Sequence, residues 1–533
     1  MGKLEILKFM KTKIYNKVLA GVTSYLLPLT SCLFMTTACS DDQLDTTPST
    51  YVATEVMTSS ASSAIAAIDG TYRLFYTYGY TTAWEHEEFG LSAINLAADL
   101  MGDDHIQQKS GSGWFYYDYR YQVKSDYTNT AGRPYGVWNF FYKIIANVNY
   151  VTTAEETMTG DPSDVKYVVG QAYAIRAFSY FMLAQWYART LVGHEQDPCV
   201  PIYTEPTTKE TQGKPRETNA AVYAQIDKDI AKAEELLAAT EHDRNSKSHI
   251  SLAVAYAFHA RIAQVEEKWD KVLEYADKAI AAAKKEGLVI TDLTQFKGLN
   301  KVNASNVLWG MNIIADQTTG YAGYFTHMDA DMGKYGYNAR QQIARGIYDR
   351  MGANDARRTW WNPEDPANGD NGYQQEKFKF VNYATWEGDY IFMRIEEMYL
   401  AKAEAECMLG QDAAAQATLK SLMAYRDPDY DCTKRGTALG KLTSEQTGSL
   451  REEIIYQRRV ELWSEFGRIY DIRRLHQGFE RTEADGHPSA ARSAKLNQGT
   501  SDPEGYKWVM VIPQAEFDGN INMDEAKDQN PFD

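Results

Sequence analysis

The 533-residue sequence contains only five cysteines, too few and too scattered to build a disulfide framework. Cys32 and Cys39 lie near the N-terminus, and Cys199, Cys407 and Cys432 follow at wide intervals. None of these spacings is the C-x-x-C pair that is typical of a metal site. We therefore predict that the last three thiols are buried or incidental.

Positive charge is also in deficit, with 55 Lys and Arg residues against 72 Asp and Glu residues and a net charge of −17. Nucleic-acid binding depends on Lys and Arg contacts to phosphates, so nucleic acid is excluded as a partner. The same balance disfavours strongly anionic ligands, although a local basic patch can override the average.

Catalytic signatures are missing as well. In "HEEFG" (86–90) a glycine stands where the H-E-x-x-H zinc motif needs its second histidine, and no G-x-S-x-G or G-x-x-x-x-G-K-[ST] occurs. Asp365, Asn368 and Asp370 offer calcium-type oxygens but lack the order of an EF-hand. We predict no catalytic residue, no metal and no cofactor. A hydrolase with an unrecognised carboxylate pair stays as an alternative.

The N-terminal segment has the pattern of an export signal. Its first seventeen residues carry five lysines and one glutamate, and residues 18–38 carry no charge. A basic region followed by an apolar region is typical of a secretory signal. A transmembrane anchor is the alternative, because the uncharged run is just long enough to cross a bilayer. Pro28 and many Ser and Thr residues argue against a stable span.

A lone cysteine after this apolar region suits a lipid attachment site. Cys39 is followed by the acidic segment "SDDQLD", which suits a solvated tether. Cys32, in "LTSC", resembles a bacterial lipobox more closely, but cleavage there leaves the apolar stub "LFMTTA" behind the lipid. We predict a lipoprotein signal peptide over 1–38 and lipidation at Cys39, with Cys32 as the alternative.

Helical periodicity dominates the rest of the chain. Apolar residues recur at i, i+3 and i+4 over 167–188, and the pattern returns over 219–239, where Asn219 is a possible N-cap. Small and bulky positions alternate over 250–287 and 391–426, as in tetratricopeptide-like helix pairs. We predict one all-α domain over 39–533, with a strand-like run at 306–314 and a scaffold of helical hairpins at about 137–187, 219–287, 388–426 and 452–475.

Long polar and aromatic insertions separate the hairpins, and structureless loops of such length are uncommon unless they are functional. We predict ligand-binding loops at about 79–136 and 313–388. The insertions with this character are 79–136, 188–218, 313–345, 352–388 and 428–447.

Aromatic side chains are concentrated in two of these insertions. Sugar rings present apolar faces and hydroxyl edges, so flat aromatic platforms beside amide, imidazole or carboxylate groups suit them. The first insertion supplies "WFYYDYRY", although this alternation also fits a strand with one buried face. In "RRTWWNPED" (357–365) packing and cation–π contacts are as good an interpretation as binding. Our predicted platforms are Trp114, Tyr116, Tyr321 and Tyr324, and our predicted hydrogen-bonding partners are Asp104, His105 and Gln107.

Five motifs in order resemble those of the SusD/RagB family of cell-surface glycan-binding lipoproteins. They are "VWNFFYKIIANVNYV" (137–151), "GQAYAIRAFSYFMLAQWY" (170–187), "GDYIFMRIEEMYLAKAEAE" (388–406), "IIYQRRVELWSEFGRIYDIRRL" (454–475) and "VMVIPQAEFDGNINMDEAKDQNP" (509–531).

This resemblance implies a helical fold with irregular ligand-binding loops, no enzymatic activity, an outer-membrane location at the cell surface, and a TonB-dependent SusC-like transporter as partner. A peptide- or protein-binding helical-repeat lipoprotein is the alternative. The charged residues in these motifs are interpreted as buried or half-buried ion pairs that fix the helices. They are Arg394 with Glu397, and Arg458, Arg459, Glu461, Arg468, Asp471 and Arg473.

Overall fold

The computed structural model describes residues 57–79, 85–122, 132–208, 210–293, 298–364 and 372–531. The predicted signal peptide (1–38), Cys32, Cys39 and the oxygen-rich segment from Asp365 to Asp370 lie outside the described residues. Thr54–Asp533 forms one compact unit.

The fold is mostly helical, as predicted. Its helices are α1 (Ala61–Leu74), α2 (Leu91–Leu100), α3 (Tyr116–Tyr119), α4 (Gly132–Thr153), α5 (Pro162–Tyr187), α6 (Asn219–Ala238), α7 (Leu252–Val265), α8 (Trp269–Lys285), α9 (Tyr324–Met328), α10 (Tyr335–Asn338), α11 (Arg345–Asp349), α12 (Ile395–Met408), α13 (Asp412–Met423), α14 (Leu450–Glu461), α15 (Arg468–Arg474), α16 (Ala494–Thr500), α17 (Gln514–Gly519) and α18 (Glu525–Asp528). Single 3₁₀ turns occur at Glu85–Glu87, Ala315–Gln317, Ala330–Met332, Ala356–Trp360 and Ser489–Ala491.

The predicted hairpins are confirmed in the pairs α4–α5, α7–α8 and α12–α13, each of which packs together. α5 begins at Pro162, earlier than the apolar period over 167–188 indicates. Asp161 accepts a hydrogen bond from the Ser163 amide at 2.7 Å, and Pro162 occupies the first turn. The predicted N-cap of α6 is wrong by one residue. Thr218 caps the helix, while buried Asn219 donates to the Arg189 carbonyl at 3.0 Å.

Short strands join the insertions to the helices. Strands β1 (His105–Gln107), β3 (Gln341–Ile343), β5 (Gln374–Gln375) and β4 (Trp361–Asn362) form an antiparallel sheet in that order. The predicted strand-like run at 306–314 is confirmed as β2 (Val307–Met311), which pairs antiparallel with β6 (Tyr390–Arg394).

Two segments differ from the sequence prediction. The segment from 391 was predicted as helix but begins with β6, where Gly310 lies so close that an added Cβ would meet the Tyr390 carbonyl oxygen at 2.4 Å. The segment 79–136 was predicted as irregular but contains α2, in which every residue is buried. The polar residues Ser92, Asn95 and Asp99 recur at i, i+3 and i+7 on α2, and the face that carries them is buried like the rest of the helix.

A buried ion-pair network joins β6, α12 and α14. Glu461 lies at its centre and pairs with Arg394 at 3.0 Å and with Arg426 at 2.8 Å, and Arg357 lies 3.3 Å away. The three guanidinium groups hold the pKa of Glu461 well below its usual range despite burial.

Two of the other charged residues singled out in the sequence have partners different from those predicted. Glu397 pairs with Arg261 at 2.6 Å and with Arg458 at 3.3 Å, and not with Arg394. Arg473 donates to the carbonyls of Gln185 and Ala188 in place of an acidic partner.

None of the described helices is both long enough and apolar enough to cross a bilayer.

Candidate functional site

Four aromatic rings from three separate segments form a continuous surface, which we call the aromatic surface and define as Trp114, Tyr335, Tyr321 and Trp386. The centroids of Trp114 and Tyr335 are 6.5 Å apart, those of Tyr335 and Tyr321 are 6.0 Å apart, and those of Tyr321 and Trp386 are 5.1 Å apart. Tyr321 is 46% exposed and the other three rings are half-buried. The surface therefore presents ring area to solvent while its rings support one another.

Buried polar side chains hold the loop that carries Trp114. The next residue, Phe115, has a positive φ of 58°, and its amide donates to the buried Glu87 carboxylate. Arg133 donates to Glu87 at 3.3 Å and to Asp118 at 3.0 Å. Positive φ is unfavourable for a bulky residue, so these contacts fix a strained conformation that places Trp114.

Histidines support the rings from the inner side. The imidazole of His86 stacks on Trp114 at a centroid distance of 5.0 Å, and its Nδ1 lies 2.9 Å from the Tyr335 hydroxyl. His327 stacks on Tyr335 at 4.9 Å and lies 2.8 Å from the His86 carbonyl through Nε2. Burial lowers the pKa of His327 to about 3, so the His327 imidazole is neutral at physiological pH.

Polar groups accompany the exposed end of the aromatic surface. The Lys334 ammonium lies 4.9 Å from the Tyr321 ring centroid and 6.0 Å from that of Trp386. The Trp114 indole nitrogen is buried and, within the described residues, makes no hydrogen bond. A cation and aromatic faces in one place suit a ligand that offers both apolar faces and hydroxyl oxygens.

The predicted platforms have different positions in the structure. Trp114 and Tyr321 belong to the aromatic surface, and Tyr116 is half-buried on α3 with the Arg120 guanidinium 5.5 Å from its ring. Tyr324 was predicted as a platform, but its ring is buried and its hydroxyl donates to the Ser464 carbonyl at 2.9 Å. Tyr324 therefore belongs to the core below the loop.

The predicted hydrogen-bonding residues are all buried and have partners within the protein. Asp104 pairs with Arg459 and, at 3.1 Å, with Arg468. His105 lies 2.9 Å from Gln341 Oε1 in the neighbouring strand, and burial lowers its pKa to about 3. Gln107 donates to the carbonyls of Lys109 and Trp114, both at 3.2 Å. Gln107 therefore contacts the Trp114 loop, whereas the partners of Asp104 and His105 lie on α14, α15 and β3.

Sequence reasoning missed Trp386, His86 and Lys334. Trp386 lies within the predicted insertion 313–388. Its positive φ of 62° belongs to a turn that the sequence "ATWEGD" does not predict. The pair Trp360 and Trp361 is buried, in agreement with the packing interpretation. In the described part of the chain, no group of three or more His, Cys, Asp or Glu residues is placed to hold a metal ion.

Comparison with known proteins agrees with this architecture. The family model described as "Starch-binding associating with outer membrane" matches residues 92–263, and the model described as "SusD family" matches residues 324–532. The chain belongs to the SusD/RagB family.

Solved structures share the fold at low identity. A SusD-like carbohydrate-binding protein from Bacteroides vulgatus is 24% identical with a TM-score of 0.73, covering 89% of this chain and 98% of its own. A SusD superfamily protein from Bacteroides thetaiotaomicron is 20% identical with a TM-score of 0.70, covering 89% and 100%. Surface glycan-binding protein A from B. thetaiotaomicron, solved with laminarihexaose, is 17% identical with a TM-score of 0.64, covering 86% and 97%. A search of curated protein sequences returned no significant match.

Proposed function

We propose that this protein captures polysaccharides or oligosaccharides at the cell surface on the aromatic surface. The observation that carries the proposal is the row of four rings from Trp114 to Trp386, because three loops far apart in sequence converge on it. Aromatic faces suit the apolar C–H faces of sugar rings, and the neighbouring Lys334 offers a hydrogen-bond donor to hydroxyl oxygens.

Membership of the family and its relatives support this class of ligand. One family model is described as starch-binding, and one structural relative was solved with laminarihexaose. The net charge of −17 favours neutral glycans over anionic ones at this surface. Trp114, Tyr321, Tyr335 and Trp386 are the proposed ligand contacts, with Tyr116 at the edge.

The capture is proposed to be non-catalytic and to serve nutrient uptake. The protein, held in the outer membrane by a lipid on Cys39, passes the glycan to a SusC-like TonB-dependent transporter. Binding without chemistry requires only stacking and hydrogen bonds, which the aromatic surface offers. Release of reducing ends by the purified protein would contradict this part of the proposal.

The test is a binding screen of the full-length protein in a neutral detergent. Laminarihexaose and a panel of neutral and acidic polysaccharides are titrated by calorimetry, and every hit is repeated with Tyr321→Ala and Trp386→Ala. We expect each substitution to weaken binding at least about tenfold, because exposed aromatic anchors dominate such interfaces.

Tyr425→Ala is the matched control, because Tyr425 is 48% exposed and Tyr321 is 46% exposed. Equal affinity in all three variants would remove the site from the aromatic surface. Peptide binding in the absence of any glycan hit would support the alternative peptide-binding function.

A further inference from the structure

A second, polar cavity of about 540 Å³ lies between the segment 240–252 and the end of α8, apart from the residues of the aromatic surface. Its walls include three basic side chains, Arg244, Lys247 and Lys285, and two acidic ones, Asp243 and Glu286. A local excess of positive charge is unusual in a protein of net charge −17. The lining therefore favours an anionic group over a neutral one.

Lys247 has unused hydrogen-bonding capacity in this cavity. Its ammonium donates to the Ala304 carbonyl at 2.6 Å, and among the described residues no carboxylate lies within ion-pair distance of it. An ammonium has three donors, so two are left for a ligand. Burial and the nearby Arg244 lower the pKa of Lys247 to about 8, and the charge of Glu286 offsets them only in part.

Arg244 forms the fixed wall of the same cavity. Its Nη1 donates to the carbonyls of His249 at 3.1 Å and of Leu308 at 2.8 Å, and its Nη2 pairs with Glu286. Three of its five donors are therefore engaged within the protein. Arg244 makes the electrostatic potential in the cavity more positive, and Lys247 has N–H donors that can bind a ligand.

The N-terminus of α7 reaches the cavity through Ser251 and Leu252. Ser251 holds the N-cap position in an extended conformation, yet its side chain makes no capping hydrogen bond. Its Oγ is buried and, within the described residues, has no partner. The first-turn amides thus lack their usual side-chain acceptor, and the positive end of the helix dipole adds to the charge of Lys247.

We propose that this cavity binds a tetrahedral oxyanion, a sulfate or phosphate group, between the Lys247 ammonium and the N-terminus of α7. The group is either a free inorganic anion or an ester carried by a saccharide. This inference is independent of glycan binding at the aromatic surface, because the two sites share no residue.

The test is calorimetric titration of the full-length protein in a neutral detergent at constant ionic strength. The probes are inorganic phosphate, inorganic sulfate and N-acetylglucosamine 6-sulfate, with chloride and unsulfated N-acetylglucosamine as references. We expect the oxyanions to bind and the references not to bind. Stronger binding of the sulfated sugar than of inorganic sulfate identifies an ester as the source, and the reverse identifies the free anion.

Two variants and a control locate the site. Lys247→Gln is expected to weaken binding at least about tenfold, the loss typical of one hydrogen bond to a charged group. Ser251→Asp places a carboxylate at the helix N-terminus, so it is expected to abolish binding without lowering the melting temperature. Lys420→Gln removes an exposed lysine on α13 and is expected to bind as the wild type does. No binding of any oxyanion at 20 mM, or equal binding by all variants, would overturn the proposal.

Discussion

At the scale of single residues, the proposed glycan site depends on groups that no ligand touches. Trp114 owes its position to Phe115, whose strained backbone is held by Glu87 and Arg133. Burial raises the pKa of Glu87 to about 8, against the lowering effect of Arg133. The buried Glu87, 28 residues from Phe115 in sequence, therefore helps to fix the orientation of an aromatic platform.

Glu87→Ala is expected to weaken glycan binding together with stability. The substitution leaves the Phe115 amide buried without an acceptor, which costs about 1–3 kcal/mol, and it frees the Trp114 loop. Urea unfolding measures the stability and calorimetry measures the affinity for any glycan that the wild type binds. Glu87→Gln keeps an acceptor for the amide and is expected to keep most of the affinity. An unchanged affinity in Glu87→Ala would contradict this support role.

The residue scale is also where sequence reasoning succeeded only in part. Trp114 and Tyr321 stand out as aromatic residues in glycine-containing loops, and both belong to the aromatic surface. Asp104 is equally polar in sequence, but Arg459, its ion-pair partner, lies 355 residues away, so burial of the pair has no local signal. Ion pairs between residues far apart in sequence therefore determine which polar side chains are buried and which face solvent.

At the scale of elements, helices were predictable and strands were less so. The alternation of small and bulky residues over α7 and α8 and the apolar period over α5 are local properties that the sequence records. The strand β6 precedes α12 without a break, and it exists because it pairs with β2 about 80 residues earlier. The buried α2 carries Asn95 and Asp99, which bond to the Glu465 carbonyl and the Arg468 amide about 370 residues away, so the burial of this helix has no local signal.

The Glu461 network is expected to be the most sensitive junction between elements. Arg394→Met removes one of three guanidinium groups and leaves buried carboxylates of Glu461 and Glu465 undercompensated. Breaking a buried pair in this way typically costs about 3–5 kcal/mol.

Urea unfolding of Arg394→Met checks this value. Lys278→Gln is the control, because its ion pair with Glu274 is exposed on α8 and worth less than about 1 kcal/mol. A loss in Arg394→Met no larger than in the control would show that the network does not stabilise the junction.

At the scale of the whole molecule, three buried histidines are expected to lower stability as the pH drops below about 6.5, while buried carboxyl groups with a raised pKa, such as Glu87, act in the opposite direction. Burial lowers the pKa of His105, His327 and His487 to about 3 in the folded protein. The unfolded chain keeps an ordinary histidine pKa of about 6.5, so between these values it binds protons that the folded protein does not. Each histidine then removes on the order of 1 kcal/mol per pH unit on acidification.

Urea unfolding at pH 7, 6 and 5 tests this dependence, and His105→Gln should reduce its slope while retaining hydrogen-bonding capacity towards Gln341. The same pH dependence of stability in the wild type and in His105→Gln between pH 7 and pH 5 would contradict it.

A crystal structure with a bound oligosaccharide tests most directly where the molecule binds its glycan. The oligosaccharide is chosen from the hits of the binding screen. We predict sugar rings stacked on Tyr321 and Trp386, with further contacts at Trp114 and Tyr335. Sugar bound instead in the cavity of about 350 Å³ along α4, beside Tyr142 and Tyr203, would contradict the account.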